Sequence, residues 1–294
     1  MKTPLLLLTL IALFLTGCSD GKKSASVSVP DDLQEEPADT IPTDIEEDGD
    51  EEDLDHLIGT QPMPVAADEL FDDFIFNFAS NRRLQMERIN FPLSIDGDTT
   101  TLEDSTSVVA FSRDNWQMEH FFMHEGEYTL MFDSPEEMEL VKDTSVSQVT
   151  VEHIMLNENT VKQYLFDRTG GQWRLTGVRR QTLAENPNAS FIGFYQQFAT
   201  DSAFQRESLS EAIDIAVPDP DDDFAQTEGV ITPDFWDAFA PELPEGIVYN
   251  IVYGPQDAAS DQKVFVVRGI SNGLELELTF KRRDGRWKLT KMSE

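Results

Sequence analysis

Cysteine is nearly missing from this chain: Cys18 is the only one in 294 residues. With no second thiol, no disulfide can form within the chain, and a fold must be held by its hydrophobic core. Cations are scarce as well, 22 Lys and Arg against 56 Asp and Glu, for a formal net charge of −34. A surface of that sign repels nucleic acid, and no basic patch with interleaved aromatics relieves it, which argues against nucleic-acid binding. The G-x-S-x-G spelling occurs at Gly17 to Gly21, at the end of the export signal, and at Gly269 to Gly273, between two expected strands rather than on a strand-to-helix elbow, and there is no Gly-rich phosphate loop. Neither the serine-hydrolase nor the nucleotide signature therefore stands in a context that supports it. After Leu15 no apolar run is long enough to span a bilayer. The length leaves room for one or two domains with ordinary cores.

What is present begins with "MKTPLLLLTLIALFLTGCSD". Lys2 forms a short positive region and Leu5 to Leu15 an apolar one, which reads as an export signal over residues 1–17. Leu15-Thr16-Gly17-Cys18 resembles the lipobox of bacterial lipoproteins. The resemblance implies that Cys18 receives the lipid and becomes the new N-terminus, with palmitate-type acyl chains giving membrane affinity. Used in this way, Cys18 leaves no thiol for nucleophilic catalysis. Ser19 follows, where an Asp would have suggested inner-membrane retention. An outer-membrane lipoprotein is therefore expected, its periplasmic or surface face unspecified.

Residues 18–66 form an acidic stretch. Between residues 19 and 60 there are 15 acidic and 2 basic side chains and no aromatic. Such a segment buries too little apolar surface to offset chain entropy and reads as a disordered tether, extended by its own charge. A solvated spacer is the preferred reading over an acidic binding tail or a loose calcium-binding run.

From residue 67 the sequence repeats. "FDDFIFNFASNRRLQME" (71–87) aligns with "FIGFYQQFATDSAFQRE" (191–207) at an offset of 120, and Trp116 meets Trp236 at the same offset. "YLFDRTGGQWRLT" (164–176) aligns with "LTFKRRDGRWKLT" (278–290) at an offset of 114, pairing Trp173 with Trp287. All four Trp residues fall in pairs. The copies are expected at 67–184 and 185–294. Each opens with a helix carrying an aromatic stripe, Phe71, Phe74, Ile75 and Phe78, then Phe191, Phe194, Tyr195 and Phe198. A second short helix is expected around each of Trp116 and Trp236, with Ser112 and Thr232 as N-caps. Strands follow: "EYTLMFD", "VSQVTVEHIML", "VKQYLFDR" and "QWRLTGVRR" in the first copy, "IVYNIVYG", "KVFVVRGIS", "LELELTFKRR" and "RWKLTKM" in the second. "DRTGGQ" and "RRDGRW" are hairpin turns.

Helices followed by antiparallel strands give an α+β order. The chain resembles the cone-shaped nuclear transport factor two-like (cystatin-like) fold, whose last strand often ends W-x-L. More narrowly it is similar to a family of Gram-negative lipoproteins of unknown function with two such domains and a phrase F-x-x-F…F-Q-x-x-R-I-x-F-P-L. "LQMERINFPL" (84–93) fits that phrase, while the second copy keeps Gln205 but lacks Arg, Phe and Pro at the equivalent places. The resemblance implies two tandem cone-shaped domains, each with N-terminal helices on a curved antiparallel sheet.

Candidate chemistry is sparse. His120 and His124 are four apart, as metal-ligating pairs on a helix are, but without the H-E-x-x-H order. A surface or partly packed pair is the preferred reading. Asp219, Asp221 and Asp223 alternate in "DPDDD", yet Phe224 occupies the place where a calcium loop needs Gly. Enzymes of the cone fold resembling ketosteroid isomerase use a Tyr with carboxylates in the cavity. Tyr128, Tyr164, Tyr195, Tyr249 and Tyr253 are available, but the sequence assigns none of them a carboxylate partner. Trp116, Trp173, Trp236 and Trp287 read as core or pocket aromatics, core preferred for Trp173 and Trp287. No cofactor and no metal is expected. The leading expectation is a non-catalytic, lipid-anchored envelope protein that binds or scaffolds a small molecule, a glycan or another envelope protein. The alternative is a lyase, isomerase or hydrolase using a polar cavity in one copy.

Overall fold

The structure, a computed structural model, describes residues 63–96, 110–219 and 222–294. The export signal, Cys18 and nearly all of the acidic segment lie outside the described residues. Helix α1 (Phe71–Ser80) and helix α2 (Arg82–Arg88) open the first half. Strands β1 (Ile89–Asp96), β2 (Ala110–Phe111), β3 (Glu127–Phe132), β4 (Gln148–Met155), β5 (Thr160–Thr169) and β6 (Gln172–Thr182) follow. The second half repeats the order with α3 (Ala189–Thr200) and α4 (Ser202–Glu207). Its strands are β7 (Leu209–Asp219), β8 (Asp222–Ile231), β9 (Ile247–Tyr253), β10 (Gln262–Gly269), β11 (Glu275–Arg283) and β12 (Arg286–Ser293). No helix among the described residues is long and apolar enough to cross a membrane.

Each opening helix is broken at one equivalent residue. Asn81 Oδ1 accepts from Leu84 N at 3.0 Å, and Asp201 Oδ1 accepts from Ala203 N and Phe204 N at 2.9 and 3.0 Å. A side chain that caps a new helix ends the previous one. The second short helix does not form in the first half: turns surround Trp116, and Ser112 N donates to Asn115 Oδ1 at 2.6 Å instead. In the second half Pro233–Ala238 is a 3-10 turn after Thr232, whose side chain makes no cap bond. Four strands beyond those expected also form, β1, β2, β7 and β8. The two hairpin turns depend on positive φ, at Gly170 and Gly171 (60° and 80°) and at Asp284 and Gly285 (51° and 75°), the backbone that tight hairpins require.

The sheet has 12 strands in the order β2-β1-β6-β5-β4-β9-β3-β10-β11-β12-β7-β8. It is mixed rather than wholly antiparallel, because β1 with β6, β7 with β12, and β3 with β9 run parallel. The central pairing crosses between halves. β4 pairs not with β3 but with β9, from Val149↔Tyr253 to Met155↔Ile247. Equivalently, β10 pairs with β3, from Val264↔Phe132 to Gly269↔Glu127. The two copies have exchanged one strand each, in equivalent registers.

The exchange explains the burial pattern. Phe71, Phe74, Phe78, Phe166 and Trp173 form one core, with Ile251 and Tyr253 of β9 among them. Phe191, Phe198, Phe280 and Trp287 form the other, with Met131 of β3. Along β10, Val264 and Val266 enter the first core while Phe265 and Val267 enter the second. Central strands are thus covered on both faces, which is why "KVFVV" reads as a continuous apolar run rather than an alternation.

Candidate functional site

Retained polar residues build the frame. Gln85 Nε2 donates to Phe78 O at 2.9 Å, and its Oε1 accepts from Trp116 Nε1 at 3.0 Å. Gln205 repeats both bonds, to Phe198 O at 3.1 Å and from Trp236 Nε1 at 2.8 Å. The matched Gln–Trp pairs tie the paired helices to the segments before β3 and β9. Trp173 packs on Phe71 at 5.0 Å and Trp287 on Phe191 at 5.4 Å between ring centroids. All four Trp side chains are buried. Arg88, from the "QMERINFPL" phrase, grips Asp68 through two bonds of 2.8 Å and also reaches Trp173 O at 3.2 Å. At the offset of 120 the second half has Ser208 and Asn188 instead, so this buried ion pair occurs once.

One titratable cluster belongs to the first half alone. His153 on β4 and Lys162 and Tyr164 on β5 share one face with Glu119 from the loop after Trp116. Tyr164 OH donates to Glu119 Oε2 in a short hydrogen bond, and Lys162 Nζ donates to the same oxygen at 3.4 Å. Phe121 N reaches Glu119 Oε1 at 3.3 Å from a backbone with φ of 53°, a conformation rare for a bulky residue and a mark of local strain. Burial would raise the Glu119 carboxyl, but Lys162 and the Tyr164 hydroxyl outweigh it and hold it below its usual value. Burial raises Tyr164 well above the usual phenol, and Glu119 adds to that. Burial pushes the His153 imidazole down to about 4, against the pull of Glu119. Its ring lies 4.9 Å from Tyr164 and 4.6 Å from Tyr249, and its Nε2 has no hydrogen-bond partner among the described residues.

At neutral pH this is a carboxylate, a neutral imidazole and a protonated phenol. It can hold a polar group by hydrogen bonds. As an acid–base pair it is poorly poised, since proton transfer is most efficient near the working pH. The offsets place Phe239, Val267, Leu276 and Leu278 at the equivalents of Glu119, His153, Lys162 and Tyr164. There the second half has a cleft of about 530 Å³ lined by Phe239, Leu274, Leu276 and Met292 among others.

A second cluster lies where the halves meet. Asp72 on α1 accepts a short bond from Tyr253 OH of β9 and lies 3.7 Å from Arg268 of β10, whose Nε donates to Glu275 at 2.9 Å. Burial raises the Asp72 carboxyl, opposed by Tyr253 and Arg268. The Tyr–carboxylate pairs that the sequence could not assign are thus Tyr164–Glu119, Tyr253–Asp72 and, at 3.2 Å, Tyr249–Glu125.

His120 and His124 are together, ring centroids 4.8 Å apart, but on a turn rather than a helix. Among the described residues no three His, Cys, Asp or Glu side chains converge as a metal site would need. Asp219 ends β7 and accepts from Thr227 at 3.0 Å. Asp221 lies outside the described residues, and Asp223 is described only as a backbone position of β8. Glu119, His153, Lys162 and Asp72 were not singled out from sequence. The available signal was phase: Lys162 stands two residues before Tyr164 and four before Phe166, on their inward face.

A cleft of about 1140 Å³ lies outside both cores on the outer face of β7, β11 and β12, with Lys281, Arg283, Arg286 and Lys288 on its wall. The fold is of a known class. A crystal structure of an NTF2-like protein from Bacteroides fragilis matches with a TM-score of 0.69 and 39% identity, over 79% of this chain and 98% of that one. The chain belongs to the family described as Domain of unknown function (DUF4348), whose model matches residues 50–294. A search of curated proteins gives no match.

Proposed function

We propose that this chain is a lipid-anchored envelope protein in which two NTF2-like repeats, fused through exchanged strands, act as a rigid binding or scaffolding module. The observation that carries the reading is the filling of both cores. Where an NTF2-like enzyme would need an open polar cavity, Phe71, Phe166 and Trp173 pack in one half and Phe191, Phe280 and Trp287 in the other. Apart from His153, the titratable groups of the two clusters are hydrogen-bonded to one another, which suits structure more than turnover. The lipobox-like Leu15 to Cys18 supports anchoring at Cys18, and the acidic segment after it suits a spacer from an outer membrane. Cys18→Ser should release the exported protein from the membrane fraction and remove incorporation of labelled fatty acid. Retention in the membrane fraction, or a wild type that takes up no label, would contradict the anchor.

The second reading, a lyase, isomerase or hydrolase, is favoured by one observation, the Glu119–Tyr164–His153 cluster beside the strained Phe121. Its counterpart in the other half is apolar, as a function retained in one copy would leave it.

A further inference from the structure

The β11–β12 hairpin places like charges directly opposite one another. Lys281 faces Lys288 and Arg283 faces Arg286 across the strands. Like charges in directly opposed positions destabilise a sheet, and here two such pairs are consecutive. The first half shows that the fold does not need them. Its equivalent hairpin opposes Asp167 to Arg174 and Thr169 to Gln172, one complementary pair and one neutral pair.

This concentration is unusual for the chain. Six of its 22 Lys and Arg lie between residues 281 and 291, while the whole carries 56 Asp and Glu. Among the described residues Lys281, Arg283 and Arg286 have no ion-pair partner. Lys288 donates to Glu207 O, much as Arg174 donates to Glu87 O at 3.2 Å. The four cations line the 1140 Å³ cleft together with Lys291, which pairs with Glu277 at 3.6 Å. Glu211, Asp214 and Asp284 also line it, so the positive field is local. Cross-strand neighbours are about 5 Å apart and same-face neighbours along a strand about 7 Å. Four cations on that grid converge on one small area, where they can engage several phosphate groups of one ligand by charge-assisted hydrogen bonds. Screening limits their reach to about 8 Å at physiological salt, while the net charge of −34 opposes a long polyanion.

We propose that the outer cleft of the second half is a binding site for a compact soluble ligand carrying two or more phosphate groups, held by Lys281, Arg283, Arg286 and Lys288. The site deepens the binding reading and does not use the anchor. Loss of lipid labelling would leave it standing, and loss of anion binding would leave the anchor standing.

The test is calorimetric titration of the full chain with tripolyphosphate. The wild type should bind one equivalent, more weakly as salt rises. Arg283→Thr with Arg286→Gln, which installs the first half's residues, should weaken binding at least tenfold and leave the melting temperature unchanged or raised. Lys281→Asp, which restores an Asp–Lys pair, should do the same, and Lys142→Gln, at an exposed site elsewhere, should change nothing. Absence of binding by the wild type, or equal binding by both cleft variants, overturns the proposal. So does binding to phosphatidylglycerol vesicles without binding to tripolyphosphate, since the anion would then belong to a lipid surface.

Discussion

His153 gives the residue scale its clearest consequence. Its imidazole is displaced from the ordinary 6.5 to about 4 by burial, opposed by Glu119. Between those values the unfolded chain binds a proton that the folded chain does not, so stability falls as pH drops from 6.5 towards 4. At about 1.4 kcal/mol per pH unit the loss is at most about 3.5 kcal/mol. Glu119, held below its ordinary value, adds a loss of the same sign at lower pH. His153→Gln should flatten the decline between pH 6.5 and 4, measured as urea midpoints across that range. An unchanged slope would show that His153 titrates as an exposed imidazole does. The pairing of the four Trp residues was legible because apolar and Gln–Trp positions recur at fixed offsets. Glu119 was not, because its partners come from three separate segments and the second copy has Phe239 in its place.

At the scale of elements the exchanged strands are tied by a polar knot. Glu152 of β4 is 2% exposed and lies directly opposite Asn250 of β9. Its Oε1 accepts from Gln163 and Asn186 at 2.8 Å each, and its Oε2 accepts from Asn250 at 3.0 Å. Burial raises its carboxyl, opposed by the amides of Gln163, Asn250 and Asn186. The offsets give Val266 and Leu130 at the equivalents of Glu152 and Asn250, so one of the two seams is polar and the other apolar. A polar contact at one position of a seam fixes register where apolar strands could slip. Glu152→Ala leaves three buried amides without their acceptor and should cost roughly 3 kcal/mol or more, read from urea unfolding at neutral pH. A cost near zero would mean that water replaces the carboxylate and that the knot does not hold the seam. Eight strands, both hairpin turns and the opening helices were legible from periodicity and turn residues. The exchange was not, because β3 and β9 present the same inward pattern whichever β4 or β10 they pair with.

For the whole molecule, the described residues form one compact unit, and the two halves are expected to unfold as one cooperative body. β3 completes the sheet beside β10, β9 completes it beside β4, and Asp72 of the first helix is held by Tyr253 and Arg268 of the second half. A binding surface on β11 and β12 is then positioned by both copies. Truncation of one buried Trp tests this most directly. Trp287→Ala should cost about 3–5 kcal/mol, the scale for removing a large buried aromatic. Urea unfolding would be followed in a Trp236→Phe background by the fluorescence of Trp116 and Trp173, both in the first half. The prediction is that their transition moves to lower urea by the full cost, although the lesion lies in the other core. If the first-half signal keeps its wild-type midpoint while the second half unfolds early, the halves are independent and the account of a single strand-exchanged module is wrong.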